Sequence, residues 1–462
     1  MMIRNSSSTN LHRTARRGLI VVKSAICLSF VLIFVALVID VGVISQKSGE
    51  LQQAADAASI SAVNTMMAGL NLSTFSSDHT AAEQTARAVV AQHPGANPGT
   101  VLNTVDSDIQ FLYSDFDSEN GGWTTSPESS TSRPPNAVSV TVRRDDLANS
   151  SVSLSFARIA GRESANLNRK STAAFFPATG IGEGAEILPF AVDATVWTAL
   201  RLGNNITNQL KVDALASHLD NSNLLDLIDL GIGDRFLDPV GCPVDLNGNP
   251  LMIMDRQSWH PRQESISSGA DRVWESIFFP HQFERVLAAT SLLSPLTGIK
   301  YIPGNMVLID LGQRNSPAYK LNLARIERQI VSGLDYQDVS GINELNGREG
   351  GNLQTPFMVP GEYYFPKEIK EELSDSIGKP RILFLYATIP GAISTVEDLL
   401  QTPTDFVIVG WVGAVITEVN FDKLIQYVKF QPAPYRSFRL ETDNSPTADW
   451  GSGVYAGPFL VQ

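Results

Sequence analysis

One apolar run constrains this chain more than any other feature. Residues 24–44 read SAICLSFVLIFVALVIDVGVI, with Asp40 as their one charge. As a helix, that run crosses the ~30 Å hydrocarbon core of a bilayer. Arg4, Arg13, Arg16, Arg17 and Lys23 precede it, and no acidic residue occurs in the first 39 positions. This charge bias predicts a cytoplasmic N-terminus, residues 1–23, and an extracytoplasmic body after the span. A cleaved secretory signal is the competing reading. Its apolar region is usually shorter and ends in a small-x-small site, for which Val43-Ile44-Ser45 is a poor candidate. A retained anchor is therefore expected, and the body is exported on either reading.

Charge divides by compartment. The first 23 residues carry +5 and the whole chain −13, leaving −18 on the remainder. An acidic body repels phosphate backbones, so no nucleic-acid partner is expected. Membrane lipids are expected partners, and the basic end suits an anionic inner leaflet. The apolar share of 43% is enough for real cores. Of the two cysteines, Cys27 lies in the span and Cys242 in the body, so no intrachain disulfide is expected.

Helical spacing continues past the span. Leu51, Ala54, Ala55, Ala58, Ala62 and Met66 recur at three- and four-residue steps, while Glu50, Gln52, Gln53 and Asp56 fall largely off that stripe. Small side chains let another element approach closely. The stripe is either packed on its own domain or offered to a neighbouring subunit, and periodicity alone does not separate the two. The second reading makes Leu51, Ala54, Ala55, Ala58 and Ala62 a candidate helix-packing interface.

A second helix is expected from Asp78, as N-cap, to Gln92. Strands are expected at 108–113, 137–142, 152–156 and 166–176, around a polar loop at 114–136. This gives an α+β unit over residues 45–178. After a glycine-rich boundary at 180–184, a second mixed, β-rich domain is expected over 185–432. It has helices near 223–232 and 321–333 and strands near 305–312, 381–388, 406–419 and 424–430. The Pro-, Gly-, Ser- and Tyr-rich residues 433–462 read as a loosely ordered tail.

Catalytic patterns fail one by one. The sequence has no G-x-S-x-G, no H-E-x-x-H and no phosphate loop. His260 and His281 lack cysteine or carboxylate companions at ligand spacing, so they read as ordinary polar residues. The acidic loops 115–121 and 245–249 offer alternating oxygens but do not fit a calcium loop, and solvated turns are expected there. No catalytic, cofactor-binding or metal-binding residue is assigned, and no cofactor is expected. Asp40 is the unusual charge. An ionisable residue in a span is a functional candidate, although one four residues from the outer end reaches toward headgroup water.

Several segments together resemble a known family. Arg16-Arg17-Gly18, the apolar span, Asp40-Val41-Gly42 and then residues 51–58 (LQQAADAA) are similar to the N-terminus of TadE/TadG-like proteins of the Flp (Tad) pilus-assembly system. Residues 135–144 (PNAVSVTVRR) and 153–161 (SLSFARIAG) resemble a strand pair of the same region. The resemblance covers about residues 10–178, with Gly18, Asp40, Gly42 and Asp56 as its motif positions. The remainder resembles the C-terminal extension of large TadG-like members and lacks the Asp-x-Ser-x-Ser signature of von Willebrand A domains. Pilin-like members are cut after a glycine followed by an apolar stretch with Glu at its fifth position. Here Lys23 holds that position after Gly18, so an uncut anchor is expected.

The resemblance implies a non-enzymatic accessory of Tad pilus assembly in the inner membrane. Its partners would be other pilus-assembly proteins at the outer face of that membrane, with the oligomeric state open. The alternatives are an envelope structural protein using the same anchor elsewhere and an exported hydrolase. The hydrolase lacks a nucleophile–base or metal constellation.

Overall fold

The computed structural model describes residues 9–70, 72, 77–93, 102–117, 122–127, 134–202, 253–254, 257–261, 263–271, 273–278, 280, 282–285, 299–302, 305–312, 321–362, 365–387, 404–421, 426–442 and 449–461. The architecture is α+β, with a long N-terminal apolar helix followed by a β-rich body.

Helix α1 runs unbroken over Thr9–Ala68, 60 residues and about 90 Å at the α-helical rise. No proline or capping break interrupts the passage from the apolar run to the alanine-rich stripe, so the anchor and the first core helix are one rod. Its Val21–Ala68 portion is long and apolar enough to cross a membrane. Helix α2, His79–Gln92, begins as expected. The Asp78 carboxylate accepts the Ala81 N–H at 2.9 Å, the bond an N-cap makes to an orphan donor.

The first sheet starts with β1 (Ile109–Asp117), β2 (Gly122–Ser126) and β3 (Ala137–Arg144). A short ladder of β4 (Val152–Ser153) and β5 (Ser164–Ala165) follows, and then β6 (Leu167–Pro177). Strands β3 and β6 pair antiparallel over eight positions, from Ala137↔Ala174 to Arg144↔Leu167. Helices α1 and α2 cover one face of this sheet. Their Ala54, Ala58, Ala62, Ala82, Ala86 and Val90 join Val138, Val140, Ala173 and Phe175 in one cluster. The alternation of Val138, Val140 and Val142 puts every second β3 side chain on that face.

The chain then forms β7 (Gly180–Gly182), β8 (Ile187–Asp193) and α3 (Ala194–Leu202). Next come β9 (Ile253–Met254), the hairpin β10 (Gln257–His260) and β11 (Ser265–Ser268), then β12 (Glu275–Phe278). The pair β13 (Gln282–Arg285) and β14 (Ile299–Ile302) precedes β15 (Met306–Ile309). Helices α4 (Leu323–Ser332) and α5 (Tyr336–Leu345), strands β16 (Asn352–Leu353) and β17 (Phe357–Glu362) and helix α6 (Lys370–Asp375) lead to β18 (Pro380–Tyr386). The chain closes with β19 (Thr404–Asn420), β20 (Tyr427–Pro432), β21 (Tyr435–Ser437), β22 (Leu440–Glu441) and β23 (Val454–Leu460).

Eight of these strands form the second sheet, in the order β17-β15-β8-β18-β19-β20-β12-β9. Strand β17 bonds both β15 and β19, so five strands close on themselves. Its core strands are apolar on both faces. In β8 and β15, Ile187, Ala191, Val307 and Ile309 face one cluster. Leu188, Phe190, Met306 and Leu308 face another, with α3, α4 and α6. Near-continuous apolar runs signal strands covered on both sides.

The described residues of the last 30, 433–442 and 449–461, correct the expectation of a loosely ordered tail. Strand β23 pairs with β6 and with β21, giving the first sheet the order β2-β1-β3-β6-β23-β21. Tyr455 is buried against Phe175, ring centres 5.0 Å apart, and its hydroxyl donates to the Trp450 carbonyl at 2.7 Å. The composition misleads because Gly457-Pro458 sits where the β6–β23 register shifts, between Ala456 and Phe459. A strand can hold proline at such a bulge. One cluster also runs from Ile187 and Phe384 to Tyr435, Val454 and Ala456. The chain end thus belongs to the core of the body. The expected helix at 223–232 lies outside the described residues.

Candidate membrane anchor and its junction with the body

The apolar run of α1 carries bare side chains. From Val21 to Ile39 its large apolar residues are exposed, whereas Leu51 and the residues after it on the stripe are buried. One helix therefore has two environments, and the change falls between Asp40 and Glu50. At that junction Asp40 is 3% exposed. Its carboxylate accepts the backbone N–H of Ser155 at 2.9 Å, of Phe156 at 2.9 Å and of Ala157 by a shorter bond. These donors open the 3₁₀ turn Ala157–Ala160. Three unpaired amides at a turn start suit an anion, and the chain supplies its own.

The turn sits in a closed loop. The Leu154 N–H donates to the Glu163 carbonyl at 2.9 Å, and the Arg162 N–H to the Ala157 carbonyl at 3.0 Å. Gly161 takes φ of 80°, a left-handed value that lets the chain reverse without a Cβ penalty. Above it, Lys47 pairs with Glu50 at 2.6 Å, which holds the Glu50 carboxyl below its ordinary value. The Arg169 guanidinium donates to Ser48 Oγ at 2.7 Å. Deeper in, Ser59 Oγ and Ser171 Oγ lie 3.2 Å apart across the helix–sheet interface.

Of the motif positions, Asp40 is the one with a long-range role. Gly42 is exposed on the helix, and a Cβ there would meet no atom within 4 Å. Asp56 accepts a hydrogen bond from Gln52 Nε2 at 2.7 Å, one turn away. Gly18 lies in the N-terminal part of α1, before the apolar run. The stripe resolves differently from the subunit-contact reading. Leu51, Ala54, Ala55, Ala58 and Ala62 are all buried within the chain's own first sheet and α2. No surface of these five remains for another subunit. Their small size lets α1 lie close to β3 and β6.

Among the described residues no group of three or more metal-ligating side chains comes together. Asp115 and Asp117 sit on the β1–β2 hairpin, opposite Thr124 and Gly122. Residues 118–121, the loop 245–249, His281 and Cys242 lie outside the described residues. His260 Nε2 is 2.9 Å from Ser267 Oγ across the β10–β11 hairpin, a cross-strand contact. Buried ion pairs are structural in geometry. Asp310, whose carboxyl burial raises above its ordinary value, faces Arg325 at 3.2 Å and accepts the Asn322 N–H. Arg328 bonds both oxygens of Asp338, at 2.7 and 2.6 Å. A cleft of about 310 Å³ is lined by Trp259, Glu186, Glu264, Arg381, Tyr435 and Arg436. Its lining holds two carboxylates, Glu186 and Glu264, and no serine, cysteine or histidine.

Sequence reasoning singled out Asp40 as an unusual charge but missed its partners. The segment 153–161 was visible as a motif, although nothing in its side chains announces that its backbone amides meet a carboxylate far back in the sequence.

The comparisons bear on the same region. Residues 19–65 match a family model described as "Putative Flp pilus-assembly TadE/G-like". No curated protein and no solved structure matches the chain. The matched residues run from the apolar span through Asp40 to the buried stripe, so the match covers the two-environment rod and its junction. The chain thus carries, in residues 19–65, a TadE/G-like Flp pilus-assembly segment.

Proposed function

We propose that this protein is a membrane-anchored, non-enzymatic accessory of Flp/Tad pilus assembly. One observation carries the reading: the pilus-assembly match spans the apolar rod and its passage into the body. The N-terminus would be cytoplasmic, as the basic flank argues, and the anchor would be retained in the inner membrane. The body would act outside the membrane through contacts with other pilus proteins. Those contacts would use surfaces that the fold leaves exposed, since the Leu51–Ala62 stripe is occupied internally.

Deletion of the gene, with surface pili counted by electron microscopy, tests the role. Loss of pili restored by the full chain supports it. Normal piliation in the deletion strain overturns it in favour of another envelope function. A reporter that is active only outside the cytoplasm, fused after Gln462, tests the topology. An inactive but intact fusion would reverse the orientation.

A further inference from the structure

The loop that grips Asp40 lies at membrane depth. Asp40 is four residues inside the outer end of the 24–44 run, about 6 Å by the helical rise. One turn further in, Ala36 is half-buried among exposed neighbours, on the Asp40 side of the helix. The loop is therefore held beside the outer part of the span and cannot stand clear of the bilayer. Its exposed surface suits that place. Phe156 is 38% exposed although its own N–H is pinned to Asp40. Arg158 and Arg162 are exposed in the same closed loop. An aromatic ring beside cationic side chains is the composition of an interfacial contact, the ring entering the headgroup boundary and the guanidinium groups meeting phosphates.

We propose that residues 154–162 form a membrane-contacting foot. It seats in the outer headgroup layer of the bilayer that α1 crosses, with Phe156 inserted and Arg158 and Arg162 on anionic phosphates. The foot fixes the body in orientation on the membrane. Asp40 is a positioning residue that ties foot to anchor, and a helix gripped on one side cannot rotate or tilt independently of the body. This inference rests on the membrane-anchor reading of α1.

The test uses the full chain in vesicles of mixed phosphatidylethanolamine and phosphatidylglycerol. An environment-sensitive fluorophore is placed at Phe156→Cys in a Cys27→Ser, Cys242→Ser background. Phe438→Cys is the aqueous control. Phe438 is exposed, and nearby Arg436 bonds Asn64, about 36 Å up the helix from Asp40. Native Cys27, labelled alone, reports the anchor. The expected result is a blue-shifted label at 156, quenched by lipid-borne nitroxides and shielded from aqueous iodide, with the opposite pattern at 438. Arg158→Gln with Arg162→Gln should reduce lipid quenching at 156, most at high phosphatidylglycerol. If Cys27 is quenched by lipid while 156 stays open to iodide, the anchor stands and the foot is overturned. A label at 156 shielded from iodide but not quenched by lipid would mean a protein contact, also overturning it. If neither 27 nor 156 meets lipid, the anchor reading fails and the foot with it.

Discussion

The carboxylate of Asp40 accepts the backbone N–H of Ser155 at 2.9 Å, across a sequence separation of 115 residues. This bond and its neighbours at Phe156 and Ala157 couple the C-terminal end of the apolar run to the loop between β4 and β5. Asp40→Ala should strand three amides and loosen the loop. Hydrogen exchange at 155–157 in the vesicle-bound protein should accelerate, while exchange in β3 and β6 stays slow. Asp40→Asn should give an intermediate result, because the amide has one acceptor oxygen in place of two. Unchanged exchange in Asp40→Ala would show that the bonds do not hold the loop.

Ala58 measures the stripe. With its side chain fully buried between α1 and the sheet, Ala58→Leu adds bulk without room for it. A destabilisation of about 1–3 kcal/mol is expected for such overpacking. Glu50→Gln, off the stripe, should cost well under about 1 kcal/mol, as partly exposed ion pairs do. Urea unfolding of the detergent-solubilised protein compares the two. Equal midpoints would contradict the packing described.

Strand β23 provides a second stability test. Tyr455→Ala removes a buried ring and should cost about 3–5 kcal/mol, as large aromatic truncations do. Ending the chain after residue 448 should remove a strand of the first sheet and leave β6 with a bare edge. Protease resistance of the 45–178 region should fall in both variants. Full resistance in the truncated protein would restore the reading of a dispensable tail.

His79 introduces pH dependence. Its ring stacks on Phe111, centres 4.1 Å apart and planes at 7°, and burial lowers its pKa below the ordinary 6.5 while Asp78 partly opposes this. The folded state thus binds this proton less readily than the unfolded chain. Stability is fully present above the unfolded value of about 6.5 and declines as pH falls through it toward the depressed folded value. Thermal unfolding between neutral and mildly acidic pH should show that decline. His79→Phe, which keeps the stack and removes the proton, should flatten this component. An identical slope in the variant would assign the dependence to other groups.

What was legible in the sequence was local. The apolar run was legible as a helix long enough to cross a bilayer, the form that leaves no backbone group unpaired in hydrocarbon. Asp78 and the alternation in β3 marked α2 and its sheet because caps and pleats act within a few residues. The stripe from Leu51 to Ala62 was visible as a packed face because 3.6-residue periodicity marks any such face. What covers a face is decided by elements distant in the chain, so only the tertiary structure assigned the stripe to β3, β6 and α2. The same reason hid the partner of Asp40. Its donors are backbone amides, which every non-proline residue has, and only the folding of 153–161 into a closed loop brings three of them to one point. The C-terminal strand was hidden for a third reason. Its Gly-Pro bulge has the composition of a loop, and its pairing with β6 depends on a register that only the assembled sheet supplies.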